Sequence, residues 1–238
     1  MVGEGQANPV NLVRCAWAGS QRYGALVWSG DIMSHWDDFR RQVCAGLSMG
    51  IAGIPWWTTD IGGFHSGHPD KPEFRELLVR WFQWGCYCPV MRLHGDRQPG
   101  GPIHRKDGRE HLFSGTDNEV WSFGEEAYPI LVKYLNRREE LRDYVRGLMK
   151  QAHEEGTPLL RAMFYEFPED GECADLKDQY MFGDKYLVAP VLEAGARSRS
   201  VYLPAGEWKN VETGEILTGG KRVDVAAPLE IIPVFEKL

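Results

Sequence analysis

Three successive strand-like runs each end in an ionisable side chain, and this pattern limits the possible folds most. The runs close on Trp28-Ser29-Gly30-Asp31, on Trp57-Thr58-Thr59-Asp60 and on Arg92-Leu93-His94. Apolar residues spaced by three and four between them predict helices over 36–47 and 74–82. Strands that alternate with helices predict an α/β fold with a mainly parallel sheet. In a parallel barrel the carboxyl ends of all strands face one mouth, so the three ionisable groups should converge there.

Composition excludes several classes of protein. The 238 residues carry 27 Lys and Arg scattered among 34 Asp and Glu, for a net charge of −7. The sequence has no basic stripe, so we do not expect nucleic acid as a partner. No run approaches the roughly 20 apolar residues of a membrane-spanning helix. The N-terminus lacks the layout of a signal peptide, and we expect a cytoplasmic protein without membrane partners.

The character of the sequence changes near Asp184. Beyond it, short alternating segments are separated by turn signals such as Pro204-Ala205-Gly206 and Gly219-Gly220, which is typical of a small all-β module. We therefore predict two domains, 1–184 and 185–238. The long polar segment 95–124 is expected to be a functional or mobile loop.

Other common sites have little support. The five cysteines are an odd number at irregular spacing, which favours reduced structural thiols over disulfides or a zinc site. His65 and His68 could ligate a metal if carboxylates came close, but exposed loop histidines are the simpler interpretation. The sequence has no GxGxxG motif and no P-loop.

Carboxylates beside tryptophans suit carbohydrate recognition, because the rings cover the apolar faces of a sugar while polar groups hold its hydroxyls. Desolvation by such rings would raise the pKa of Asp31 and make it a general acid. The alternative is structural: Asp31 and Asp60 are also typical turn residues. The position of Trp57 favours core or pocket wall over a cofactor site, and a lone histidine such as His94 is more often a hydrogen-bonded structural residue.

Several blocks in fixed order resemble glycoside hydrolase family 31, which contains α-glucosidases and α-xylosidases. The blocks are Arg14, Ala18-Gly19-Ser20-Gln21-Arg22-Tyr23, Trp28-Ser29-Gly30-Asp31, Trp57-Thr58-Thr59-Asp60-Ile61-Gly62-Gly63-Phe64, Arg92-Leu93-His94-Gly95, Gln179-Tyr180-Met181-Phe182-Gly183-Asp184 and Gly206-Glu207-Trp208. They span nearly the whole chain.

The resemblance implies the C-terminal half of a (β/α)8 TIM-type barrel followed by a small β-sandwich. It implies a retaining enzyme that acts on a small carbohydrate and needs no metal or organic cofactor. Asp31 would be the catalytic acid/base. The residues implied to bind or line the −1 subsite are Arg14, Trp28, Trp57, Asp60 and His94.

The chain departs from the family pattern at the nucleophile. The family's nucleophilic aspartate lies on a strand upstream of the segment that matches Arg14, where this sequence offers only Glu4 as a carboxylate. We therefore expect a fragment that is inactive alone. Its open sheet edges are expected to cause self-association or pairing with a missing N-terminal half.

Two questions stay open at this level. Arg92-Leu93-His94-Gly95 is more similar to the α-xylosidase branch than to processing α-glucosidases, but the residues that separate xylose from glucose are expected upstream. The alternative function is a non-catalytic carbohydrate-binding or assembly module, which would keep the sugar ligands without an attacking group.

Overall fold

The computed structural model describes residues 9–98, 103–104, 110–111 and 115–238. The first unit contains a three-stranded parallel sheet in the order β1-β2-β3. Its strands are β1 (Asn11–Val13), β2 (Ala25–Trp28) and β3 (Trp57–Thr58). Helix α1 (Trp36–Ile51) connects β2 to β3, and helix α2 (Pro72–Cys86) follows β3. Strands in parallel register joined through helices are the predicted α/β arrangement.

Close packing between α1 and the sheet depends on a glycine. Helix α1 buries Phe39, Val43 and Leu47, the face that its apolar spacing predicted. At Gly46, a Cβ atom would lie 3.0 Å from a ring carbon of Trp57 and 2.9 Å from a methyl carbon of Leu160. A larger residue would therefore push the helix away from the sheet.

The first turn of α1 is not held by a side-chain cap. Ser34 and Asp37 have the spacing of a capping box, but the helix begins at Trp36 and its N-cap residue, His35, makes no side-chain capping bond. The hydroxyl of Ser34 is buried and has no hydrogen-bond partner within the described part of the chain. Instead, the carboxylate of Asp38 accepts a 3.2 Å hydrogen bond from the Met33 amide, which fixes the turn before the helix.

The predicted strand over 89–95 is not a regular strand, yet it runs beside β3. The Val90 amide donates to the Trp57 carbonyl at 3.4 Å, and the Thr58 hydroxyl donates to the Val90 carbonyl at 3.0 Å. Further along, the Ile61 amide donates to the Arg92 carbonyl at 3.3 Å. Residues 89–95 therefore follow the sheet edge far enough to bring His94 to its carboxyl end.

Two helices follow, α3 (Ala127–Glu140) and α4 (Arg142–Glu155). Before them, β4 (Ile103–His104) and β5 (Glu110–His111) form an antiparallel pair. Most of the remaining predicted loop between 99 and 114 lies outside the described residues, as does Glu4.

The second unit is a sandwich of two antiparallel sheets. The larger sheet has the order β11-β10-β13-β8-β7-β6, and the smaller pairs β12 with β9. The strands are β6 (Leu160–Ala162), β7 (Tyr180–Phe182), β8 (Tyr186–Val188), β9 (Ser198–Leu203), β10 (Glu207–Asn210), β11 (Ile216–Thr218), β12 (Lys221–Ala226) and β13 (Val234–Lys237). A one-turn helix, α5 (Met163–Glu166), follows β6. The sandwich has a separate core, which includes Met181, Leu187, Val201, Trp208 and Phe235.

The boundary predicted near Asp184 falls in the turn between β7 and β8. Both flanking pairs, β6 with β7 and β7 with β8, are antiparallel ladders of the same sheet. The continuous hydrogen bonding groups β6 and β7 with the β-module, so the sheet starts at Leu160.

All five cysteines are unpaired, and Cys86, Cys88 and Cys173 are buried. Across the described part of the chain, no helix combines the length and the apolar character needed to cross a membrane.

A buried arginine of α2 connects the two units through several hydrogen bonds. Arg80 is 1% exposed and donates to the carbonyls of Ala227 and Ile231 at 2.7 Å each. It also donates to the carbonyls of Pro228 and Ala196 at 3.1 and 3.2 Å. These acceptors belong to segments flanking the β-module strands.

We expect Arg80→Met to lower the free energy of unfolding by about 2–4 kcal/mol, because several buried carbonyls lose a charged donor. Urea denaturation followed by tryptophan fluorescence measures this change. Arg41→Met is the matched control, since Arg41 is an exposed partner of Asp38 whose loss should cost about 0–1 kcal/mol. Equal effects of the two substitutions would contradict the role given to Arg80.

Candidate active site

Two strand ends bring aspartates to one edge of the parallel sheet. Strand β2 ends at Trp28 and leads through Ser29 and Gly30 to Asp31, and β3 ends at Thr58, two residues before Asp60. Trp28 and Thr58 are paired in parallel register, so both strands end at the same level. Gly30 has a φ of 82°, which permits the sharp turn there.

Backbone hydrogen bonds tie the two loops to each other. The Phe64 amide donates to the Ile32 carbonyl at 2.7 Å, and the Ser34 amide donates to the His65 carbonyl at 2.9 Å. Gly63 makes this approach possible, since a Cβ atom there would lie 2.7 Å from the Met33 carbonyl oxygen. The loop after β2 and the loop after β3 therefore form one connected surface.

Asp31 lies at this surface beside Arg14. The Arg14 Nη1 and Asp31 Oδ2 atoms are 3.5 Å apart, and their side chains are 62% and 36% exposed. The structure thus brings these two predicted residues together. The Asp31 carboxyl is open to solvent rather than enclosed by tryptophan rings, which differs from the expectation from sequence. An accessible carboxyl can reach an oxygen of a bound molecule.

Asp60 has the opposite environment. Its side chain is fully buried, and Oδ1 accepts a short hydrogen bond from Nη1 of Arg92. The other oxygen, Oδ2, is buried and has no hydrogen-bond partner among the residues that the structure describes. Such an oxygen carries a free-energy cost until a donor reaches it, and a ligand hydroxyl is a donor of the right kind.

The pKa of Asp60 depends on its burial and on the charged residues around it. Burial raises the pKa of Asp60, the positive charges of Arg92 and His94 lower it, and the negative charge of Asp31 raises it. Asp31 and His94 are therefore near enough to act on Asp60. The site combines a buried carboxylate, an exposed carboxyl and cationic or neutral donors in one region.

Aromatic rings border this group. The guanidinium carbon of Arg92 lies 5.9 Å from the centre of the Trp28 ring, and the rings of Phe64 and His94 are 5.5 Å apart. Trp28 is half-buried and His94 is exposed, so both present surface to the mouth. Together with Asp31, Arg14 and Asp60, they form the candidate site.

Trp57 does not join them, and its expected place in the lining of the subsite is corrected. Its ring is 2% exposed and packs against Trp84 of α2, with ring centres 5.8 Å apart. Neighbouring residues of a strand point to opposite faces. Trp57 is paired with Val27 on the helix-covered face, whereas Trp28 and Thr58 occupy the other face. Trp57 is therefore a core residue.

Arg92 is a site residue that the sequence reasoning missed. Arg92 belongs to the run that ends in His94, but the motif pattern assigned it no role. A usable signal was present: in an extended segment, residues two apart point to the same side, and Arg92 is two residues before His94.

Among the described residues, no group of three or more His, Cys, Asp or Glu side chains could hold a metal ion. His65, which was considered as a ligand, instead packs edge-to-face on Phe64, with ring centres 4.7 Å apart.

The glycosyl hydrolases family 31 TIM-barrel domain matches residues 2–148, and the glycosyl hydrolase family 31 C-terminal domain matches residues 156–237. The chain belongs to glycosyl hydrolase family 31. The resemblance drawn from the motifs is thereby confirmed, as is the predicted fold class of a TIM-type barrel part followed by a β-sandwich.

Relatives within family 31 include α-xylosidases. An α-xylosidase from Saccharolobus solfataricus is 38% identical over 95% of this chain and 29% of its own length. The crystal structure of a soil-metagenome α-xylosidase complexed with xylose has a TM-score of 0.93 and 56% identity, covering 98% of this chain and 35% of that one. A Flavobacterium johnsoniae dextranase complexed with glucose has a TM-score of 0.85 and 35% identity, covering 99% and 28%. The chain spans about a third of the length of such relatives.

We expect Arg92→Met to lower the free energy of unfolding at pH 7 by about 3–5 kcal/mol, because the buried Asp60 carboxylate loses its partner. The folded-state pKa of Asp60 lies above its unfolded value, so ionisation of Asp60 with rising pH costs stability. Removing Arg92 enlarges that cost. The difference between parent and variant should therefore be largest at neutral pH and shrink as the pH is lowered and Asp60 takes up a proton.

Urea denaturation across this pH range tests the prediction. Asp60→Asn combined with Arg92→Met should recover part of the stability at pH 7, and Arg14→Met should cost little because the Arg14–Asp31 pair is exposed. A loss for Arg92→Met that does not vary with pH would contradict the electrostatic explanation.

Proposed function

We propose that this chain supplies the acid/base and sugar-binding part of a retaining α-glycosidase site that acts on terminal α-linked sugars. One observation carries the proposal: Asp31 and Arg14 meet beside the buried Asp60 and the exposed His94, at the carboxyl ends of adjacent parallel strands. Active sites of TIM barrels are built at this end of the strands.

Asp31 has the role of acid and base. In the first step a nucleophilic carboxylate attacks the anomeric carbon while Asp31 protonates the departing glycosidic oxygen. In the second step Asp31 takes a proton from the water that releases the sugar. The exposed Asp31 carboxyl suits this exchange with both leaving group and water. The nucleophile would stand about 5–5.5 Å from it.

Asp60, Arg14 and His94 hold the sugar. A sugar hydroxyl that donates to Asp60 Oδ2 would satisfy the carboxylate oxygen to which no described residue donates. Arg14 and His94 provide further polar groups at the mouth, and the Trp28 ring offers an apolar face for a pyranose. Buried polar groups that a hydroxyl must satisfy discriminate strongly against analogues that lack it.

We further propose that the sugar is xylose rather than glucose. Two of the relatives described above are α-xylosidases, and the one with the TM-score of 0.93 was crystallised with xylose. The segment Arg92-Leu93-His94-Gly95 had favoured the same branch. Other relatives, which are α-glucosidases, are 33–35% identical to this chain. Glucose is therefore the competing substrate to assay.

The partner of this chain is proposed to be the remaining part of the barrel. A TIM barrel closes with eight strands, and the described parallel sheet has three. At one edge, β1 leaves Leu12 46% exposed. At the other, an open apolar hollow of about 670 Å³ beside 89–93 includes Trp121 and Leu135, which are 68% and 43% exposed. Strands and helices of the remaining barrel would cover both.

The activity test uses a chimera in which this chain replaces the matching C-terminal part of the soil-metagenome α-xylosidase. We expect the chimera to hydrolyse p-nitrophenyl α-xyloside with a higher kcat/KM than the α-glucoside, and the 238-residue chain alone to show negligible turnover. Asp31→Asn should lower kcat by about 10²–10⁴-fold, because general acid–base assistance is lost.

Asp37→Asn is the matched control, because Asp37 is an exposed carboxylate on the following helix that pairs with Arg40. It should leave hydrolysis unchanged. Full activity of the Asp31→Asn chimera would refute the assigned role. Hydrolysis by the chain alone would refute the proposal that the nucleophile lies elsewhere, whereas sugar binding by a correctly folded but inactive chimera would favour a non-catalytic module.

A further inference from the structure

Arg97 is fully buried and lies next to the candidate site, outside the set of residues that form it. Its Nη1 donates to the Gly63 carbonyl at 2.7 Å, and its Nη2 donates to the Ile61 carbonyl at 2.7 Å and to the His94 carbonyl at 3.3 Å. Its Nε donates to Oδ1 of Asn118 at 2.7 Å. One planar guanidinium therefore binds four oxygen atoms from three separate segments.

The acceptors lie next to the site residues in the chain. Ile61 directly follows Asp60, and the Gly63 amide donates back to the Asp60 carbonyl at 2.8 Å. The third carbonyl is that of His94 itself. Arg97 thus connects the loop that carries Asp60 to the segment that carries His94.

Three glycines make room for this side chain, and a fourth accepts a hydrogen bond from it. A Cβ atom at Gly95 would lie 2.6 Å from the guanidinium carbon, and one at Gly67 would lie 2.9 Å from Nη1. At Gly62 a Cβ atom would lie 3.2 Å from Nη2, while Gly63, whose φ is 79°, offers its carbonyl to Nη1. The glycine pair after Asp60 therefore serves the arginine as well as the turn.

Aromatic and acidic neighbours balance the buried charge. The guanidinium carbon lies 5.1 Å from the centre of the Phe74 ring. Burial lowers the pKa of Arg97 to about 10, and Asp60 and Asp96 act in the opposite direction. Within the described part of the chain, the direct partners of Arg97 are oxygens of the backbone and of one amide.

We propose that Arg97 is a positioning residue that fixes the spacing between Asp60 and His94, so that both side chains can engage the hydroxyls of one sugar. The inference rests on the proposed function for the nature of the ligand, but its geometry involves no hydrolytic step. A lysine cannot reproduce it, because an ammonium lacks the planar fork that reaches several carbonyls at once.

Nuclear magnetic resonance of the full 238-residue chain tests the proposal without any substrate. Histidine rings carry a nitrogen label and aspartate carboxyl groups a carbon label. Arg97→Met is expected to shift the resonances of the His94 ring and the Asp60 carboxyl, while His153 on α4 stays unchanged. The Gly63 and Asp96 amides should exchange on the order of tenfold to a hundredfold faster, because the charged hydrogen bonds that order the loop are lost. Arg97→Lys should give smaller changes of the same kind.

Arg80→Met is the matched control. Arg80 is likewise buried and bonded to backbone carbonyls, but these belong to the segments around the β-module. It should reduce global stability without moving the His94 or Asp60 resonances. If Arg97→Met does not fold, Asn118→Ala, which removes the Nε acceptor and keeps the arginine, provides the same readout.

Unchanged His94 and Asp60 resonances in the Arg97 and Asn118 variants would overturn the proposal, as would equal shifts in Arg80→Met. An inactive chimera would count against the proposed function alone. Absent shifts in an active chimera would count against the role of Arg97 alone.

Discussion

The pairing of Asp60 with Arg92 is the interaction on which the candidate site depends. A fully buried carboxylate is costly to ionise, and here one guanidinium provides its direct compensation at a single oxygen. Arg92 in turn lies over the Trp28 ring, so the ion pair also orients the aromatic border of the site. No described residue donates a hydrogen bond to Asp60 Oδ2, and a ligand hydroxyl would supply that bond.

The parallel sheet explains why such a pair coincides with Asp31. Strands β2 and β3 end at the same level, and the Phe64 and Ser34 amides join the loops that follow them. A buried, paired carboxylate and an exposed carboxyl are thereby held on adjacent loops. The same fold that buries Asp60 leaves Asp31 accessible, and the proposed acid/base site beside a binding site requires this division of environments.

The sequence predicted the parts that follow from chain direction and periodicity. Parallel strands required Asp31 and Asp60 to converge, and the apolar spacing identified α1 and α2. It did not predict the orientation of Trp57, because in a strand of two residues no alternation is visible. Arg97 was missed because its partners are backbone carbonyls, which have no signature in a side-chain pattern. The sequence also did not show that β6 and β7 pair with β8, because a short buried run does not reveal whether its neighbour is parallel or antiparallel.

A crystal structure of the chimera soaked with xylose would show whether these residues hold one sugar. We expect one sugar at the mouth of the sheet, with a hydroxyl within hydrogen-bond distance of Asp60 Oδ2, a second near His94 or Arg14, and the Asp31 carboxyl beside the anomeric oxygen. Xylose bound elsewhere, or bound at the mouth with Asp60 still enclosed and Asp31 turned away, would contradict this expectation.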